Sequence, residues 1–446
     1  MEKTEYKEIS EHILKRLKEK GFDDAVVISS KGDSSQIKFA NNKIVANKTF
    51  TLVDLSIFAA LKKRLVSTSI RNLDKEKAEK VIDKLLAYAK LSRPNNEYGG
   101  IAEGPFKYKE IEETFDKRLA DLGENIIDYA ESSINTAKSL GMRRTAGILE
   151  NSASHVYLIT SNNVEAEEEA TEIYFSVRTL KEKEESGHMV NVSRVLNKFE
   201  PEKATELAAN IANMGRNPQE GTEGKFDVLF EPLAFANLLE HAGNSASIFN
   251  VESGLSFFCN KLGKRVASEK VNFYDDGRLK NGLGSSICDA EGVPTQRTCI
   301  IKNGFLKTYL HNTSTAKRYK TKTTANAGII APQPHNLVLE AGDYSKEELI
   351  SKIKKGIYIT NIWYTRFNNY TTGDFSTIPR DGAFYIENGK IKYPIKGIRV
   401  TSSMLEIMNN IDAIGKKQEQ IKSWETTVPT ITPHVIVKNV SITKPL

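Results

Sequence analysis

Apolar residues change their spacing several times along the first 92 positions. Ile9, Ile13, Leu14 and Leu17 recur at helical intervals and Gly21 follows, which predicts an opening helix with a glycine stop. Strand-like runs then occupy residues 24–30, 36–40, 43–48, 50–61 and 64–70. Asn41-Asn42 and Lys62-Lys63 fall where short turns would join them. Asparagine tolerates the left-handed backbone of a tight hairpin turn, less strongly than Asn-Gly does. Residues 74–91 place Ala78, Val81, Ile82, Leu85 and Ala89 on one stripe and predict a second helix.

Residues 93–110 carry two prolines and three glycines without periodicity, and form the best linker in the chain. A long helix is expected over 112–140, punctuated by Gly123 and stopped by Gly141. Strands are expected at 144–151, 155–161, 172–180 and 189–196, with an acidic turn at 165–169. Pro201 starts a helix whose face carries Ala204, Leu207, Ala208, Ile211 and Met214, and the polar stretch 216–225 is a second boundary. Beyond it strands dominate. A helix is expected at 233–242 and shorter ones at 345–355 and 403–414, before a final strand at 435–442. Residues 300–310 and 385–395 are hairpins of one design around Asn303-Gly304 and Asn388-Gly389, and Asp276-Gly277 and Asn281-Gly282 are further turns. The expected fold is α+β. It comprises an N-terminal helix and strand-meander domain (1–92), a linker (93–110), a central α+β domain (111–220) and a strand-rich, mainly antiparallel C-terminal domain (221–446).

Composition narrows the class without choosing a chemistry. With 446 residues, 39% hydrophobic and 27% charged, the chain is globular and long enough for more than one domain. A net charge of +6 is too small for the footprint of a dedicated nucleic-acid binder. Cys259, Cys288 and Cys299 contain no CxxC pair, which points to free thiols in a reducing compartment. The first 21 residues lack an apolar secretory core, and no run approaches the ~18 apolar residues of a membrane span. A soluble cytoplasmic protein is expected.

Residue chemistry alone gives no catalytic signature. No two of the seven histidines lie within ten residues of each other, so HExxH is absent. Glu240-His241 is the one Glu–His neighbour pair on an expected helix, and adjacent residues project about 100° apart. No GxSxG elbow occurs. Cys259, after two phenylalanines, reads as a buried apolar residue, and Cys288 and Cys299 as structural. Gly282-Leu283-Gly284-Ser285-Ser286 lacks a Walker lysine and a βαβ setting, so it reads as a turn or backbone-contact loop. Asp275, Asp276, Asp289, Glu291, Asp374 and Asp381 could hold a cation or transfer protons, but three of them precede glycines, where turn chemistry accounts for them. The acidic run 165–169 and the basic strings 317–322 and 352–355 read as solvated faces.

Residues 252–327 nonetheless closely resemble the TldD/PmbA family, also called TldD/TldE. The matching pieces are Gly263-Lys264, Val266-Ala267-Ser268, Asp275-Asp276-Gly277, Asp289-Ala290-Glu291-Gly292-Val293-Pro294-Thr295, Asn303-Gly304 with Leu306-Lys307, and Asn326-Ala327. Thr372-Gly373-Asp374-Phe375-Ser376 and Ile386-Glu387-Asn388-Gly389 extend the likeness, and the first two segments resemble the family's N-terminal and central domains. The resemblance implies a metallopeptidase system that degrades or matures peptides and unstructured chains, built from a catalytic TldD subunit and a related TldE (PmbA) subunit. It also carries an older association with DNA gyrase. Family catalytic subunits bear HExxxH on a helix and a C-terminal cysteine. Here the helix reads Leu239-Glu240-His241-Ala242-Gly243-Asn244: Leu239 and Asn244 stand at the ligand positions, only Glu240 matches, and no cysteine follows Gly415.

The resemblance therefore implies a TldE/PmbA-type subunit with remnant-site positions Leu239, Glu240, His241 and Asn244, and no confident catalytic, cofactor or metal residue. Zinc or a similar transition metal is expected in a TldD-type partner, not in this chain. The expected partners are that subunit or a second copy of this chain, and a peptide or unfolded polypeptide; neither membrane nor nucleic acid is expected. One alternative is a self-sufficient homodimeric hydrolase using Glu240, His241 or the Asp275-Asp276 and Asp289 carboxylates. A weaker alternative is a gyrase- or DNA-associated binding protein.

Overall fold

The computed structural model describes residues 3–71, 75–182 and 184–444. The opening helix, Lys3–Glu19, buries Ile9, Ile13, Leu14 and Leu17. Three strands follow: β1 (Asp24–Ala40), β2 (Lys43–Leu61) and β3 (Arg64–Arg71). The runs expected as separate strands inside β1 and β2 are continuous, because β1 is paired on both sides and the ladder keeps its polar middle extended. Asn41 and Asn42 (φ 50° and 62°) and Lys62 and Lys63 (φ 49° and 63°) make the expected two-residue turns, all four residues left-handed. The helix Lys75–Leu91 then packs Ala78, Ile82, Leu85 and Ala89 into the same core; Asp74, the expected first residue, lies outside the described residues.

The central segment adds β4 (Arg144–Thr160), β5 (Glu165–Leu180) and β6 (Ser186–Ser193). β1 and β4 pair antiparallel from Val26↔Thr160 to Ala40↔Ala146, so the segments on either side of 93–110 build one six-stranded sheet, ordered β3-β2-β1-β4-β5-β6. The long helix expected over 112–140 is broken. Asp116 caps a short helix, Lys117–Ala120, Gly123 turns the chain at φ 55°, and the main helix is Ile126–Ser139. The acidic run 165–169 is the start of β5 instead of a solvated turn. Glu165 accepts from Tyr157, Glu167 pairs with Lys7 and His155, and Glu168 accepts from the amide of Ile287 at 2.9 Å. Each of these carboxylates has a donor, so the charge does not keep the segment out of the sheet.

The C-terminal part holds a ten-stranded sheet and a second six-stranded one. The helix Pro232–Ser245 contacts strands of both, which is why its sequence is apolar nearly all round. The pairings are mainly antiparallel, as expected for the fold class; Gly224–Phe230 against Lys355–Ile359 is one of the parallel exceptions. Asn303-Gly304 (φ 50° and 79°) and Asn388-Gly389 (φ 51° and 72°) close the two expected hairpins. Asp276-Gly277 and Asn281-Gly282 do not: Asp276 ends the strand Phe273–Asp276, and of these four residues only Asn281 is left-handed. The helix expected over 403–414 stops at Asn409, and Ile411–Ile414 is a strand against Val435–Thr443. Among the described residues no helix is long and apolar enough to cross a membrane.

Candidate functional site

The four remnant-site positions have different surroundings. Leu239 is fully buried in the C-terminal core. Glu240, 7% exposed, turns its carboxylate toward the loop 422–429. Its Oε1 accepts from Thr427 Oγ1 at 2.7 Å, Val428 N at 3.0 Å and Thr427 N at 3.1 Å, and the Thr427 amide also reaches Oε2 at 3.2 Å. Burial pushes this carboxyl above its ordinary range, and those donors pull it part of the way back. His241 packs its ring against Phe367 with centroids 4.8 Å apart, and burial lowers it to about 4, so the imidazole is neutral at pH 7. Asn244 is half-buried, and its carbonyl accepts from Asn250 Nδ2 at 2.7 Å.

One turn before Glu240, Asn237 holds the same loop through the Glu425 carbonyl and accepts from Thr365 Oγ1 at 2.6 Å. The Glu425 carboxylate in turn accepts from Tyr364 N at 3.0 Å. Held at these points, the loop sets the half-exposed Trp424 edge-on against Trp363, centroids 5.0 Å apart, with Tyr364 at 6.0 Å. The signal in the sequence is a pair of polar residues, Asn237 and Glu240, at helical spacing on an apolar helix. It marks a face that receives a loop.

This donor set does not fit a transition metal. It offers one imidazole packed on a phenylalanine, an amide, and a carboxylate whose oxygens are already occupied by hydrogen-bond donors, where such ions take three or four nitrogen, sulfur or oxygen ligands. Among the described residues no other group of three or more His, Cys, Asp or Glu is arranged to hold one.

Of the other carboxylates singled out in the sequence, Asp275, Asp276 and Asp289 are tied to main chain. Asp275 accepts from His335 N at 2.7 Å, Asn336 N at 3.1 Å and Asn326 Nδ2 at 2.6 Å. Asp289 accepts from the amides of Glu291, Val293 and Ala327 at 2.9–3.0 Å, and burial raises it to about 6. These two acids join three loop segments. Asp276 accepts from Arg278 N at 2.9 Å, Asp374 is exposed, and Asp381 accepts from Arg178 and Ser186, linking the first sheet to the C-terminal part. None of them shares a site with Glu240. The glycine-rich stretch 282–286 turns carbonyls inward: Gly282 O, Leu283 O and Ser285 O all accept from the buried Arg194. It therefore cradles a guanidinium and offers no amide nest to a phosphate. Cys288 is buried, while Cys259 and Cys299 are half-buried, so Cys259 is less hidden than its phenylalanine neighbours suggest.

Two arrangements had no local signal. Arg194 meets its carbonyls nearly ninety positions away. Glu231, directly before the helix, is buried with His434 at 3.1 Å, Lys346 at 3.1 Å and the Tyr358 hydroxyl donating to it. Burial alone would raise this carboxyl, but the charges of His434 and Lys346 outweigh it and hold Glu231 at about 2.

Comparison with known proteins agrees with the sequence motifs. Residues 223–444 match the PmbA/TldA metallopeptidase C-terminal domain. A metalloprotease of Methanocaldococcus jannaschii is 29% identical over 371 residues, 78% of this chain and 79% of its own length. A metalloprotease TldD homolog of Buchnera aphidicola is 32% identical over 217 residues, covering 47% of this chain and 44% of that one. The crystal structure of TldE from Thermococcus kodakarensis superposes with a TM-score of 0.87 over 97% of this chain and 99% of that one, at 22% identity, and so shares the fold. With the helix, hairpins and carboxylate anchors of the C-terminal part in place around the family's motifs, the chain belongs to the TldD/PmbA family.

Proposed function

We propose that this chain is the non-catalytic, TldE/PmbA-type subunit of a cytoplasmic TldD/TldE-like metallopeptidase. It pairs with a TldD-type subunit that carries the zinc or similar metal, and helps enclose the peptides and unstructured chains that the pair degrades or matures. The observation that carries this reading is the use made of Glu240. The carboxylate that stands in the family's catalytic motif is spent on the Thr427 and Val428 donors, beside Leu239 in the core and a neutral His241. Activation of water in such peptidases needs a cation that polarises it, and a carboxylate without one has no nucleophile to generate.

Affinity purification from the native cells tests the pairing. A related chain bearing HExxxH is expected to copurify in stoichiometric amount; recovery of the protein without any such chain would overturn the proposal.

A further inference from the structure

A cavity of about 350 Å³ lies where the first sheet and the segment 95–101 face the C-terminal part. Phe58, Leu65, Ile101, Phe249 and Ile330 give it apolar walls. Its charged lining is unbalanced: Glu97, Glu252 and Glu291 border it against one cation, Arg318. Both terminal nitrogens of that guanidinium are engaged, one 3.0 Å from Glu97 and the other on Glu252. Glu291 is different. It is 6% exposed, accepts from the amides of Thr313, at 3.3 Å, and Ala102, and has no cationic partner. Burial, and then the neighbouring Asp289, push it up to about 8, against donors from Thr313 and Ala102 that pull it part of the way back. Arg318 Nε, nearby, is a buried polar atom without a hydrogen-bond partner.

An apolar sleeve that ends on a buried, uncompensated carboxyl suits an alkyl chain ending in a protonated amine. A ligand bearing a carboxylate or phosphate would meet three acids, and a neutral ligand would forgo the ionic contact that an ammonium makes with Glu291. We propose that this cavity binds a primary alkylammonium, with Glu291 as the group that receives it; the source is either the amino terminus of a peptide with an aliphatic first side chain or a free aliphatic amine. The site needs neither a partner subunit nor cleavage, and so goes beyond the peptidase reading.

Isothermal titration calorimetry on the full chain with leucinamide, isopentylamine and N-acetylleucinamide tests it. Both amines are expected to bind, and the acetylated compound, which has lost the charge, to bind at least about tenfold more weakly. Tighter binding of leucinamide assigns the peptide terminus, and tighter binding of isopentylamine the free amine. Glu291→Gln should weaken the preferred amine at least about tenfold. Ile330→Trp, at a rim position 73% exposed and therefore harmless to the core, should weaken it by obstructing the mouth. Equal binding of leucinamide and its acetylated form, full affinity in both variants, or no heat from either amine at millimolar concentration would overturn the proposal.

Discussion

Glu240 and Thr427 are 187 positions apart, yet the threonine gives the glutamate both its donors: its amide reaches Oε1 and Oε2 at 3.1 and 3.2 Å, and its hydroxyl reaches Oε1 at 2.7 Å. Glu240→Ala leaves those donors and the Val428 amide without an acceptor, and should cost about 2–4 kcal/mol in urea unfolding. Glu240→Gln keeps an oxygen acceptor and should cost about half as much. Trp424 and Trp363 are the chain's two tryptophans, so fluorescence reports the loop directly. Both quantities unchanged in Glu240→Ala would show that the carboxylate does not hold the loop.

The Glu231 cluster sets an acid limit. Its folded carboxyl, at about 2, lies below the unfolded value of about 4.3, so its stabilisation is complete above the unfolded value and is lost as pH falls through that window toward 2. Glu231→Gln should therefore lower stability at pH 7 by about 3 kcal/mol and flatten the loss between about pH 4.3 and 2. Melting temperatures across that range test it; parallel acid limbs in the two proteins would contradict it.

Arg194 is the donor for three loop carbonyls. Arg194→Ala should cost about 3–5 kcal/mol, and Arg194→Lys should recover only part, since an ammonium lacks the planar fork. Denaturant midpoints check this. Full stability in the lysine variant would mean that charge alone, without fork geometry, satisfies the loop.

Lysine is a poor residue for the turn between β2 and β3, where positions 62 and 63 are both left-handed. Replacing Lys62-Lys63 by Asn-Gly should raise stability by about 1 kcal/mol, read as a higher unfolding midpoint. A lower midpoint would mean that the lysine side chains contribute more than the backbone strain costs.

What could be read from the sequence divides by distance along the chain. Turns carry their own chemistry, so Asn41-Asn42, Asn303-Gly304 and Asn388-Gly389 are legible as turns from sequence and are left-handed in the fold. Helix faces such as Ile9, Ile13, Leu14 and Leu17 were equally plain. Segments 165–169 and 411–414 do not read as strands in the sequence because their strand partners lie elsewhere: β4 holds the first and Val435–Thr443 the second. For the remnant site, the residues on the helix were legible, but their bonds to Thr427 and Val428 were not, since nothing local links 240 to 427. The charge of Glu97, Glu252 and Glu291 around one cavity was hidden for the same reason.

The central claim is that this scaffold does not cut peptides by itself, and turnover of an unstructured peptide by the purified chain after incubation with zinc, with bound metal assayed on the same sample, tests it most directly. The account predicts no cleavage and no stoichiometric metal until a subunit bearing HExxxH is added. Cleavage by the chain alone, with about one tightly held metal ion lost together with activity in Glu240→Gln, would contradict it.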